Sequence, residues 1–197
     1  MARKPPLIEL TFPISRELFA KIDQAVRKAG YEAAIEWSES VRPPANASQF
    51  ASEAIYVIIN SGLSNKVALP IFQRCMLALR QGNSATTVFG HPGKAAAIDW
   101  IWKRRRSLFR KHHEAEDLIA FCETLPWLGP ITKFHLAKNL GADVAKPDVH
   151  LIRLAKPGGE TAQGLCERLA TETGYRAATI DMILWRACAD GIIHSRR

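Results

Sequence analysis

Nowhere in its 197 residues does this chain hold an apolar run long enough to span a bilayer. Its start, MARKPPLIELTFPISREL, lacks the apolar core and small-residue cleavage site of a secretory signal. A cytoplasmic protein outside the membrane is the expectation. Cysteine is sparse: Cys75, Cys122, Cys166 and Cys188 sit far apart, mostly within apolar helical patterns. A zinc site or an iron–sulfur cluster would bring its ligands closer in sequence, so reduced, packed thiols are expected, with no metal and no cofactor. Strand signals are also few. Only Leu7 to Phe12 alternates, weakly, and could be extended. No repeat period appears.

What remains is hydrophobic, basic and helical. Hydrophobic residues make up 47% of the chain, which argues against disorder. Lysine and arginine number 27 against 19 acids, a net +8. That balance suits a polyanion, nucleic acid first and an anionic membrane surface second, although a basic protein without such a partner has the same composition. The spacing predicts a helix opening at Ile14-Ser15-Arg16 and stopping at Gly30, and a short one over Tyr31–Ser40. After the break at Arg42–Asn46, a nearly all-round apolar helix is expected over Gln49–Ser61, capped by Asn46 or Ser48. Ser64 can cap a helix through Leu79, and a polar loop covers Gln81–Gly90. Longer and shorter helices follow over Gly93–Lys111 and Glu114–Glu123. The last two lie near Glu160–Thr173 and Ala177–Asp190, divided by Gly174. The fold class is all-α, built from roughly nine or ten short helices.

The most specific segment is Leu125–Leu154, LPWLGPITKFHLAKNLGADVAKPDVHLIRL. Thr124 to Pro130 is too short for a strand and too rich in proline for a helix interior. Flanked by helices, it forms a helix–hairpin–helix unit whose glycine, Gly129, would let the backbone approach a ligand. The helix over Ile131–Leu140 would aim its first amides at the hairpin, where they can bind a phosphate. Gly141 ends that helix. After a short connector, Pro147 suits a first helical position, with Asp148 next. Each feature has an ordinary reading too: a turn between packed helices, and an acid that favours a helix start.

Taken together, LPWLGPITKFHLAKNLGADVAKPDVHLIRLA resembles the helix–hairpin–helix plus Gly/Pro-Asp segment of the endonuclease III superfamily of DNA glycosylases. The L-P-x-x-G-P hairpin, the apolar helix ending in Asn-Leu-Gly and the D-V-H helix start occur in the family's order. Further out, AIYVIINSGLSNKVA (Ala54–Ala68) resembles the family's early core helix and following turn. Its Gly62-Leu63-Ser64 is similar to 3-methyladenine glycosylases, and IDMILWRAC (Ile180–Cys188) to the final helix of archaeal 8-oxoguanine glycosylases. The resemblance implies one glycosylase domain over residues 1–197, folded as two helical lobes with the active site in the cleft between them. Residues 114–155 would carry the hairpin and the acid. It also implies a monomer acting on double-stranded DNA with one base flipped out.

By the same resemblance, Asp148 is the catalytic acid. Breaking an N-glycosidic bond builds positive charge on the deoxyribose, and an ionised carboxylate beneath the sugar stabilises it and orients or deprotonates a water. Strand-cleaving members carry a lysine two residues after the hairpin glycine, and that position here is Ile131. Lys133 lies two residues further, about 200° round a helix. A monofunctional enzyme is therefore expected, with Lys133 an auxiliary or lyase candidate. The DNA contacts would come from Leu128, Gly129 and Ile131 at the hairpin, from Asn60 at the end of the core helix, and from Arg104 and Lys111. Those last two share a face of the basic run WIWKRRRSLFRKHH, which is otherwise a solvated helix surface. His135 and His150 are lesser acid–base candidates. Trp37, Phe50, Tyr56, Phe134 and Trp185 could stack on a base, but aromatics at helical spacing are more often core. Two alternatives stay open: a glycosylase with lyase activity through Lys133, and a DNA-binding module without activity.

Overall fold

A computed structural model describes residues 8–9 and 12–194. The described residues form ten α-helices and one pair of two-residue strands, so the all-α expectation holds. β1 (Ile8–Glu9) runs parallel to β2 (Ile193–His194), pairing Ile8 with Ile193. The extended stretch expected over Leu7–Phe12 is reduced to these two residues; Leu7, Leu10 and Thr11 lie outside the described residues.

The chain divides into two compact units, and one of them is discontinuous. The first joins residues up to Val41 with those from Asp143 onward; the second is the continuous stretch Arg42–Ala142. Charge divides just as unevenly. The second unit holds 13 lysines and arginines against 6 acids, 13 − 6 = +7, whereas the first holds 14 against 13, leaving +1. Nearly all of the net +8 therefore belongs to Arg42–Ala142.

In the first unit, α1 (Arg16–Val26) starts where Ser15 Oγ accepts the Leu18 amide, and it buries Phe19, Ile22 and Val26. It closes four residues before Gly30, the chain passing through a wide turn over Arg27–Tyr31 into α2 (Glu32–Ser40). The chain re-enters this unit through α8 (Val149–Ala155), α9 (Ala162–Thr173) and α10 (Ala177–Ala189). α10 is its centre: Ile180, Ile183, Leu184 and Ala187 are fully buried, joining a core with Ile22, Leu151, Leu165 and Leu169. Burying an aliphatic side chain of this size contributes roughly 1.5–3 kcal/mol.

In the second unit, α3 (Ala47–Asn60) is the central helix. Asn46 caps it by accepting the Ser48 and Gln49 amides, and Gln49 reaches back to the Ala45 amide. Phe50, Ile55, Val57, Ile58 and Ile59 are wholly buried, as an all-round apolar helix requires. α4 (Asn65–Arg80), the 23-residue α5 (Pro92–Glu114) and α7 (Thr132–Asn139) pack on it, and the short α6 (Leu118–Glu123) leads into the hairpin. The last turn of α5 carries Lys111, a cation suited to a helix C-terminus, beside His112 and His113. Cys75, Cys122 and Cys166 are buried thiols; burial pushes the Cys122 thiol up to about 12. Among the described residues no helix is long and apolar enough to cross a membrane.

Candidate functional site

The hairpin is pinned by its leucines. Leu125 and Leu128 are buried in the second unit, and the Leu128 amide donates to the Leu125 carbonyl. Leu128, expected among the DNA contacts, thus has both its side chain and its amide occupied inside the turn. Gly129 is hydrogen-bonded within the turn as well. Its amide donates to Thr132 Oγ1 at 2.8 Å, its φ is not positive, and a Cβ built on it would meet nothing within 4 Å. The geometry does not demand glycine there. The left-handed position is Trp127, with φ +65°, the one non-glycine residue of positive φ among those described.

The following helix begins at Thr132 rather than Ile131, which instead caps it without a side-chain hydrogen bond. The hairpin's hydrogen bonds use the amides of Leu128, Gly129 and Lys133 and leave out those of Ile131 and Thr132. Any anion binding at this helix start therefore rests on those two donors. Ile131 and Trp127 are large exposed hydrophobic side chains of the hairpin. Lys133 is engaged elsewhere: its Nζ pairs with Glu123 at 2.7 Å and lies over the Phe134 ring. At its far end α7 is held to α3, where Asn139 donates to Glu53 at 2.9 Å. Burial pushes the Glu53 carboxyl above its ordinary value, partly offset by that hydrogen bond. Gly141 then takes φ +100° and closes the helix, with the Ala142 amide on the Ala137 carbonyl.

Asn60 is the last residue of α3, half-buried, and its amide donates to the Tyr56 hydroxyl, which in turn donates to Asn65. The turn beyond it is secured by a residue that sequence reasoning missed. Lys94, buried near the start of α5, directs its Nζ at the carbonyls of Ser61 and Ile59. A cation there satisfies the open carbonyl end of α3. Burial holds the Lys94 ammonium below its ordinary value. Nothing in its sequence context separates it from a surface lysine.

Along α5, Lys103, Arg104, Arg106, Arg110 and Lys111 are all exposed, within an arc of about 160° at 100° per residue. Ile101, Leu108 and His112 face the core. Arg104 lies over Trp100 at 4.6 Å and Arg105 over Trp102 at 4.3 Å, so the tryptophans of this run orient guanidinium groups.

Asp148 belongs to the first unit. The boundary at Ala142–Asp143 falls inside residues 114–155. Asp148 is the N-cap of α8, not its second residue; Pro147 precedes the cap. Its Oδ1 accepts the His150 and Leu151 amides at 3.0 and 3.2 Å, and its Oδ2 faces Lys146 Nζ at 3.2 Å. Lys146 Nζ also lies 5.4 Å from the Trp185 ring centroid. The connector that presents the acid is braced on both sides. Asp181, wholly buried on α10, accepts the Lys146 amide at 3.0 Å, and Gln163 accepts the Ala145 amide at 2.7 Å. Asp181 stands inside IDMILWRAC, where only the apolar spacing was legible. His150 keeps its Nδ1 buried without a hydrogen-bond partner.

Of the aromatic candidates, Phe50 is core and unavailable for stacking, Trp37 is exposed, and Tyr56 packs edge-on against Phe72 and His135. Trp185 alone shares a neighbour, Lys146, with Asp148. No protein-family model, curated protein or solved structure matches this chain.

Proposed function

We propose that this protein is a monofunctional DNA glycosylase, hydrolysing the N-glycosidic bond of a damaged or modified base flipped out of double-stranded DNA. The observation that carries the reading is Asp148: a carboxylate fixed by two backbone amides and one lysine, following the hairpin–helix–glycine order in sequence. Three of about four lone-pair directions on the carboxylate are used, which leaves one for a water or for developing charge. In the reaction the C1′–N bond of the nucleotide breaks, its electron pair leaving with the base, and a water oxygen then bonds to C1′. The carboxylate stabilises the cationic sugar between those events and receives the proton of the water. The base must first leave the stack, which costs a few kcal/mol and less when it is damaged or mispaired.

The +7 of the Arg42–Ala142 unit, and the basic face of α5 within it, support a polyanionic partner. The same charge also favours the second reading, a DNA-binding module without activity, because an N-cap aspartate has a complete structural role. The Glu123 pairing of Lys133 speaks against the lyase alternative, since a Schiff base needs an available amine.

Duplex oligonucleotides carrying alkylated, oxidised, deaminated or bulky modified bases provide the test. At least one should yield free base and an alkali-labile site with the parent protein and none with Asp148→Asn. Tight duplex binding with no release from any substrate would establish the binding-module reading instead.

A further inference from the structure

Trp127 stands where a side chain is disfavoured. A bulky residue at φ +65° is strained relative to glycine, and such strain persists only where something else retains it. Packing accounts for part of this. The indole meets His91 edge-on at 5.1 Å, and it lies over Gly93, where an added Cβ would be 2.6 Å from Cζ2 of the ring. Gly93 is in the first turn of α5, a position where alanine would make a better helix, so the missing side chain makes room for the indole. Packing does not account for the rest, because the residue is 48% exposed. Close beside it in sequence are exposed Ile131 and the two helix-start amides that the hairpin leaves unused. The unit that carries all of this holds +7.

We propose that Trp127 is a stacking shelf for a nucleotide of bound DNA, its indole face packing on a base or deoxyribose. The proposal rests on the DNA-binding part of the function proposed above and assigns it a contact of apolar character. An aromatic shelf is indifferent to base identity, because every base has a π-face. It adds affinity without adding charge.

The test is duplex binding by the full-length protein, read by fluorescence anisotropy across a salt series. Trp127→Gly removes the shelf and relieves the backbone, and Trp127→Asn keeps a side chain that tolerates the left-handed region. Gly93→Ala leaves the tryptophan in place but pushes its ring away. Both Trp127 variants should bind about tenfold more weakly at every salt concentration, as loss of one stacked nucleotide implies, with the slope of log K against log salt unchanged. Gly93→Ala should weaken binding in the same salt-independent way while leaving the protein folded. Parent-like affinity in all three overturns the shelf while leaving the glycosylase reading intact. A lowered salt slope in the Trp127 variants overturns it as well, since that marks a lost phosphate contact. A parent protein that binds no duplex removes both readings together.

Discussion

Lys146 Nζ lies 3.2 Å from Asp148 Oδ2, while the amide of the same lysine donates to buried Asp181. One residue thus ties the candidate acid to the central helix of its unit through both its side chain and its backbone. The first prediction separates the charge of Asp148 from its capping role. Asparagine caps a helix about as well as aspartate, so Asp148→Asn should unfold within about 1 kcal/mol of the parent. Asp148→Ala should lose roughly a further 1 kcal/mol through the missing cap. Base release should fall by about 10²–10³-fold in both, the size expected when one fixed electrostatic stabiliser is removed. Denaturant melts beside single-turnover assays distinguish the two roles; full activity in Asp148→Asn would falsify the catalytic assignment.

Asp181 gives a second prediction. It is wholly buried, and it accepts the amide two residues before Asp148. Asp181→Ala should destabilise the protein by about 1–3 kcal/mol, because the part-buried Lys146 amide loses its acceptor. If the connector positions the acid, the variant should also release base more slowly at temperatures where it is still fully folded. Unchanged turnover there would confine Asp181 to a purely stabilising role.

For Lys133, the ion pair with half-exposed Glu123 contributes no more than about 1 kcal/mol. Lys133→Ala should therefore melt close to the parent and keep base release. Borohydride should trap no covalent complex with the parent protein; a trap that disappears in Lys133→Ala would establish the lyase alternative.

The exposed cations of α5 make a prediction about salt. Arg104→Ala and Lys111→Ala should weaken duplex binding to a similar degree for every sequence. Each should reduce the slope of log K against log salt by about 1 if its side chain meets a phosphate. A solvated face with no partner would leave the slope unchanged.

His112 predicts the pH dependence of stability. It is buried on α5 among Phe50, Phe109 and Phe121, and its Nδ1 has no hydrogen-bond partner. Burial, with a smaller contribution from neighbouring His113, holds its folded pKa below the ordinary 6.5. The unfolded chain therefore binds more protons just below pH 6.5, and stability falls as pH drops from there toward the folded value. His112→Phe should flatten this part of the stability profile. Chemical denaturation between pH 7.5 and 5 measures it, and a slope unchanged by the substitution would show that other groups cause it.

Much of this architecture was legible because it is local. Asn46 before an apolar run, Ser15 before an amphipathic one, and Gly141 and Gly174 after periodic segments each act within a single turn of helix, so adjacent residues suffice to read them. The all-round apolar face of α3 declared a central helix for the same reason. The net charge and the four separated cysteines were likewise properties of the chain itself.

Tertiary structure decided what depends on residues distant in sequence. It joined the stretch before Arg42 to the stretch after Ala142 in one unit and so separated nearly neutral residues from the +7 of Arg42–Ala142. It buried Lys94 on the carbonyl end of α3, 33 residues away, and set Asp181 under the Lys146 amide 35 residues away. Both are charged residues whose place inside comes from a partner that no local pattern names. It also placed the left-handed position of the hairpin at Trp127. Spacing identifies a tight turn, but which residue takes the left-handed conformation depends on how the turn's leucines are anchored in the core and on the space left open by Gly93.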